Sequence, residues 1–182
     1  MVQFSTQRLF IRPFSLEDKD DLYYYLSKEE VVRYEPYSVY TMEEARMEAA
    51  VRSVDERFLA VQLKGGPVIG NLYFVEGEYH TWEVGYVFNN DFWKQGYARE
   101  SVGALLTHLF GSLAARKVIA NCNPANQNSW HLLERLGFTR EAHLRQNIFF
   151  TRNAKGEPNW QDTLVYGLLK EEWPQPEEQS TK

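Results

Sequence analysis

The chain has 182 residues, a formal net charge of −5 and 43% apolar residues, so its length falls in the range of one compact domain. The acidic balance argues against a long basic stripe for nucleic-acid phosphates, and no apolar run approaches the roughly 20 residues that span a bilayer. The first residues, MVQFSTQRLF, lack the basic start and apolar middle of a secretory signal, which predicts a cytoplasmic protein with no membrane or nucleic-acid partner.

In chain order, Phe4 to Pro13 reads as an opening strand, with Leu9 and Ile11 on one face and Pro13 as its end. Ser15 followed by Glu17 and Asp18 predicts the start of a first helix carrying Leu22 and Leu26. Thr41 with Glu44 three residues later is a capping box, and the run to about Glu56 is built from good helix formers. Three period-two runs follow, Phe58 to Leu63, Val68 to Val75 and Trp82 to Phe88, an antiparallel meander. In the last run Trp82, Val84, Tyr86 and Phe88 share one face and Glu83, Gly85 and Val87 the other; a glycine there predicts a bulge or a close approach of another backbone or a ligand.

Val102, Leu105, Leu106, Leu109, Phe110 and Leu113 have helical spacing, and the N-terminus of that helix holds Lys94, Gln95, Gly96, Tyr97 and Ala98. Free amides, a helix dipole and a glycine meet there, which suits a phosphate. Val118 to Cys122 reads as a strand and Ser129 to Leu136 as a short helix stopped by Gly137, so a parallel crossover is expected. Phe138 to Phe150 and Asp162 to Leu168 form a closing hairpin joined by RNAKGEPNW. Residues 1–173 are expected to form one domain and 174–182 a disordered tail. Cys122, in the apolar setting VIANC, reads as a small buried strand residue, and His80, His108, His131 and His143 show no metal spacing.

The order of these signals is what carries function: a glycine-bearing strand, WKQGYARES, a strong amphipathic helix, a strand ending in NPANQNS, and a helix ending in ERLGF. This order resembles the GCN5-related N-acetyltransferases, in particular the branch of ribosomal-protein N-terminal acetyltransferases, over almost the whole chain. The resemblance implies an α/β (α+β) fold with a mixed sheet of about six to seven strands, splayed between the fourth and fifth, and about four flanking helices. It also implies acetyl-CoA as donor and a primary amine as acceptor, either a protein N-terminus or a small amine, and is compatible with a homodimer. A non-catalytic acyl-CoA-binding domain is the alternative of a different class.

On this resemblance the amides of Gln95, Gly96, Tyr97, Ala98 and Arg99 bind pyrophosphate, with charge from Lys94 or Arg99. Trp93 departs from the usual Gln or Arg of the turn. Backbone groups of Tyr86, Val87 and Phe88 would bond the pantetheine arm. Asn126 would bond that arm and Ser129 the departing sulfur, although both residue types also cap helices. Ser129 inherits the acid role because the tyrosine common in the family four residues further on is Leu133 here. Glu83 is the candidate base, with a solvated or arginine-paired strand glutamate as its other reading. Asn147, Ile148 and Phe149 stand where some ribosomal-protein acetyltransferases carry a carboxylate, and Asp162 sits at a position often acidic in the branch. Tyr23, Tyr24, Tyr25, Tyr34, Tyr37 and Tyr40 either line an amine cleft or belong to core and interface.

Overall fold

The computed structural model describes residues 2–174. The first strand-like stretch is not one strand. Thr6 turns the chain, its hydroxyl accepting from the Leu9 amide at 3.1 Å, so that β1 (Phe4–Ser5) folds back on β2 (Leu9–Pro13) as a hairpin. The meander follows as β3 (Phe58–Leu63), β4 (Val68–Glu76) and β5 (Thr81–Phe88), and the second half of the sheet as β6 (Lys117–Cys122), β7 (Thr139–Ile148) and β8 (Gln161–Leu169). Eight strands in the order β1-β2-β3-β4-β5-β6-β8-β7 replace the expected six to seven, and the fourth and fifth strands of the sequence reading are β5 and β6. All neighbours are antiparallel except β5 and β6, the parallel pair that the crossover predicts.

Five α-helices are present among the described residues: α1 (Lys19–Leu26), α2 (Glu29–Val32), α3 (Met42–Val54), α4 (Tyr97–Gly111) and α5 (Gln127–Arg135). Ser15 begins a single 3-10 turn, Leu16–Asp18, that runs into α1. The α3 capping box forms as its spacing predicts, with the Glu44 amide donating to the Thr41 hydroxyl at 3.2 Å and the Thr41 amide to the Glu44 carboxylate at 2.7 Å.

The helices cover both faces of the sheet. On one, Leu9, Ile11, Val61, Leu72, Val84 and Phe88 pack with Val102, Leu105, Leu106, Leu109 and Phe110 of α4 and Leu133 of α5. On the other, Ala60, Val68 and Val87 pack with Leu22, Tyr25 and Leu26 of α1 and Ala45 and Ala49 of α3. The alternation read in β5 is therefore the alternation between two cores, and each large side chain so buried contributes about 1.5–3 kcal/mol. Two buried polar groups sit in the second core, of which Arg52 is compensated only in part, its Nη1 having no hydrogen-bond partner. Tyr25 donates to Asn71 at 2.9 Å. Arg52, 2% exposed, pairs with Glu48 at 2.7 Å and lies over the Phe58 ring at 4.6 Å.

One expectation is corrected here. The register of β4 on β5 runs without a shift from Gly70↔Phe88 to Glu76↔Trp82, with Gly85 opposite Tyr73, so Gly85 makes no bulge. The register shift of the meander lies instead opposite Val61 and Gln62 of β3, where Ile69 is the extra residue of β4. What loosens β5 on its other side is the parallel pairing itself.

Candidate active site

The strands β5 and β6 pair only at Thr81↔Lys117, Trp82↔Val118 and Glu83↔Ile119. Beyond Glu83 they part, and the gap opens a cleft of about 1460 Å³. Gly85, Tyr86, Val87 and Phe88 line it from one strand, and Ala120 and Cys122 from the other. A parallel strand whose partner diverges leaves its backbone groups without a ladder on that side, and such groups are receptors for an amide-bearing chain.

At the wide end stands the WKQGYA turn. Lys94 (φ 60°) and Gly96 (φ 84°) both take left-handed backbone, a geometry that turns successive amides toward one point. Gly96 is the N-cap of α4 and has no side chain to satisfy the helix's first amides. A side chain at 96 would be strained by its φ, and its Cβ would lie 3.4 Å from the Arg8 guanidinium. Lys94 and Arg99 are exposed, and both line the cleft with Gly96, Tyr97 and Ala98. Gln95 does not line it: its side-chain amide donates to the Asp91 carbonyl and its own carbonyl accepts from Arg8, both at 3.0 Å. Trp93 is explained by packing. It touches both cores, and its indole N–H donates to the Phe88 carbonyl at 2.8 Å, tying the turn to the end of β5.

Behind the turn is a brace that the sequence reading missed. Arg8 pairs through Nε with Glu100 at 2.7 Å, stacks on the Tyr97 ring at 4.2 Å and holds the Gln95 carbonyl. Glu100 also accepts from the Arg8 amide at 2.9 Å and from the Thr6 hydroxyl. These contacts hold its carboxylate below the usual range despite burial, which opposes them. Partners 87 to 94 positions apart leave no local signal in one sequence.

Across the gap, after the end of β6, Asn126 caps α5, its side-chain oxygen accepting from the Ser129 amide at 3.2 Å. The Ser129 hydroxyl lies 3.1 Å from the Tyr86 hydroxyl, which also reaches the Ser129 carbonyl at 3.1 Å. Burial pushes the Tyr86 phenol well above its ordinary range. The Cys122 thiol is likewise pushed up, to about 11, by burial, with Ser129 drawing it partly back. Leu133 is fully buried, so that position of α5 belongs to the core. Glu83 sits at the point of divergence and accepts from the Asn121 side-chain amide at 3.1 Å.

The far wall comes from the segment after α2. The Tyr34 hydroxyl donates to the Ala125 carbonyl at 3.2 Å, joining that segment to the loop before α5. Glu35 lines the cleft beside it, and burial raises its carboxyl to about 7. Asp162 serves the backbone: it accepts from the Gln146 amide at 2.8 Å and faces His143 at 2.7 Å, fixing the bulge of β7 where Gln146 takes a positive φ. No group of three potential metal ligands occurs among the described residues, and no described helix is long and apolar enough to cross a membrane.

An open turn at a helix N-terminus leading into a strand gap fits a long ligand with phosphates at one end and amides along its arm. Comparison with known proteins agrees. Residues 8–139 match the family model described as an acetyltransferase (GNAT) domain. An uncharacterized N-acetyltransferase of Bacillus subtilis, YnaD, is 34% identical over 173 residues, covering 93% of this chain and 98% of its own. The crystal structure of a GNAT-family acetyltransferase from Bacillus anthracis superposes with a TM-score of 0.86 at 29% identity, covering 94% of this chain and all of that one. The fold is also that of a spermidine N-acetyltransferase from Vibrio cholerae solved with CoA and spermine, with a TM-score of 0.75 at 19% identity, 92% of this chain and 98% of that one. The chain belongs to the GCN5-related N-acetyltransferase family, whose members take the acetyl group from acetyl-CoA.

Proposed function

We propose that residues 1–173 act as one cytoplasmic acetyltransferase domain that moves the acetyl group of acetyl-CoA directly to a primary amine bound in the same cleft. The observation that carries this reading is the splay of β5 from β6 between the Gly96 turn and Ser129. In it, the amides opening α4 and the charges of Lys94 and Arg99 hold the pyrophosphate. Tyr86 and Val87 bond the pantetheine amides through their backbone; Phe88 contributes less, since its carbonyl already accepts from Trp93. Asn126, its oxygen engaged in the cap, offers its side-chain N–H groups to the arm.

Chemistry then needs three services: removal of a proton from the amine, stabilisation of the oxyanion formed on attack, and help for the departing thiolate. An α-amine has a reference pKa near 8 and a lysine amine near 10.4, so a terminal amine needs only a weak base near neutral pH. Glu83, placed where the strands part, fills that role, and a backbone amide of β5 meets the oxyanion. Ser129 hydrogen-bonds the sulfur as it leaves. Burial of Cys122, which raises its thiol, argues against it as a nucleophile. Direct attack therefore needs no acyl-enzyme.

On the acceptor side four carboxylates, Glu30, Glu35, Glu83 and Asp162, outnumber the one arginine, Arg33, which favours a cationic amine. Among these, the resemblance to ribosomal-protein acetyltransferases favours a protein N-terminal α-amine, and the acidic wall suits a small polyamine equally well. Release of free thiol from acetyl-CoA in the presence of peptides with free N-termini, polyamines and aminoglycosides distinguishes them. Turnover with one class names the acceptor, and binding of acetyl-CoA without turnover on any amine assigns the chain to the non-catalytic class. Gly96→Glu should weaken CoA binding at least tenfold, by strain and repulsion together; a folded variant with unchanged affinity removes the turn from the phosphate site.

A further inference from the structure

In this fold the proton donor to the leaving sulfur is commonly a tyrosine on the helix after β6, and here that position, Leu133, is fully buried in the core. A phenol nevertheless reaches the site from another element. Tyr86, on β5, crosses the splay and places its hydroxyl 3.1 Å from both the Oγ and the carbonyl oxygen of Ser129. We infer that Tyr86 is a positioning residue for acetyl transfer, its phenol holding the Ser129 hydroxyl in the orientation that donates to the departing sulfur. The inference rests on the role proposed for Ser129.

The geometry allows two arrangements of hydrogens. A phenol has one proton and cannot serve both oxygens fully. In the first arrangement Tyr86 donates to the Ser129 carbonyl, and Ser129 spends its own proton on the phenol oxygen. In the second Tyr86 donates to Ser129 Oγ, and the serine proton is free to point into the cleft. Negative charge growing on sulfur favours the second, because each donor in the chain then polarises the next toward the charge. Burial keeps the phenol protonated across the working range, so it is always a donor. The Cys122 thiol, which also interacts with the Ser129 side chain, is raised by burial as well.

No proton changes owner within the pair. When the carbon–sulfur bond breaks, its electron pair goes to sulfur, which leaves as a thiolate bonded by Ser129 Oγ–H and takes a proton from solvent after release. The amine's proton goes to the base on the acceptor side. Tyr86 thus lowers the cost of charge on sulfur without entering the proton balance, and its contribution appears in the rate of transfer rather than in the affinity for acetyl-CoA.

A double-mutant cycle tests this, with kcat and KM for acetyl-CoA measured by thiol release on the best amine of the panel. Tyr86→Phe should lower kcat about tenfold with KM within about twofold, as expected for one hydrogen bond made stronger in the transition state. In a Ser129→Ala background the same change should have no further effect on kcat. Because a phenol at the core's edge also packs, site-specific 3-fluorotyrosine at 86 provides a variant that keeps the ring and hydroxyl, and it should retain wild-type kcat or exceed it. If Ser129→Ala slows transfer and Tyr86→Phe does not, the inference on Tyr86 falls and the Ser129 role stands. If neither slows it, both fall. Losses that multiply independently, or a fluorotyrosine variant as slow as Tyr86→Phe, also overturn the coupling.

Discussion

Of the carboxylates that line the cleft, Glu83 and Glu35 have surroundings that separate their duties. Glu83 is held by one neutral amide, Asn121, and is free of arginines in its hydrogen bonds. Its replacement by glutamine keeps that contact and removes basicity, so kcat should fall at least tenfold near pH 7 while the dissociation constant of acetyl-CoA, measured by calorimetry, is unchanged. Equal rates in both proteins across the pH range would take Glu83 out of the base role. Glu35 is different, since burial raises its carboxyl from 4.5 to about 7 even though Arg52 opposes the shift. For an acid whose folded pKa lies above its unfolded one, the native state binds more protons, and stability declines as pH climbs from about 4.5 to about 7. Glu35→Gln should therefore be more stable than the parent above pH 7 by up to about 3 kcal/mol, with the difference vanishing below about pH 4, as read by denaturant unfolding at several pH values.

Among the elements, α4 depends on contacts from outside itself. Its Gly96 cap supplies no side chain, and the Arg8 brace from the first hairpin compensates by fixing Gln95, Tyr97 and Glu100 together. Arg8→Ala should raise KM for acetyl-CoA several-fold with little change in kcat, and lower stability by about 1 kcal/mol, since the ion pair is partly exposed. A variant with unchanged KM would show that the turn holds its shape unaided. The helices α3 and α4 were legible in the sequence because a capping box and a 3.6-residue apolar period are local, and so was the face alternation of β5. The hairpin at Thr6 was not: it is set by a side-chain hydrogen bond and by Glu100, far along the chain. Of the two readings of Gly85, the bulge fails for a related reason, because strand divergence depends on the partner strand, while Gly85 does line the cleft. At the site, residue type and order pointed to the turn and to Ser129, whereas the brace, the Tyr34 contact and the Tyr86 hydroxyl depend on tertiary proximity alone.

At the scale of the whole molecule, the sheet is two antiparallel halves, β1 to β5 and β6 to β8, joined by a parallel seam of three residue pairs and covered by α4. The sequence order of these halves is what makes the cleft, since the crossover through α4 brings β6 beside β5 only at their beginnings. The same seam predicts how the molecule breathes. Few ladder hydrogen bonds cross it, so opening there needs less free energy than global unfolding, and the amides of residues 84–88 and 120–122 should exchange with deuterium sooner than those in the middle of β4. A ligand lying along the gap would add hydrogen bonds across the junction, and at a hundred times its dissociation constant it stabilises the closed state by about 2.7 kcal/mol. Acetyl-CoA should accordingly slow exchange at those amides about a hundredfold while leaving the exposed end of β7 unchanged. In this light a donor bound there would also be the missing rung of the sheet, and occupancy of the cleft would set how rigid its lining residues are when an amine arrives.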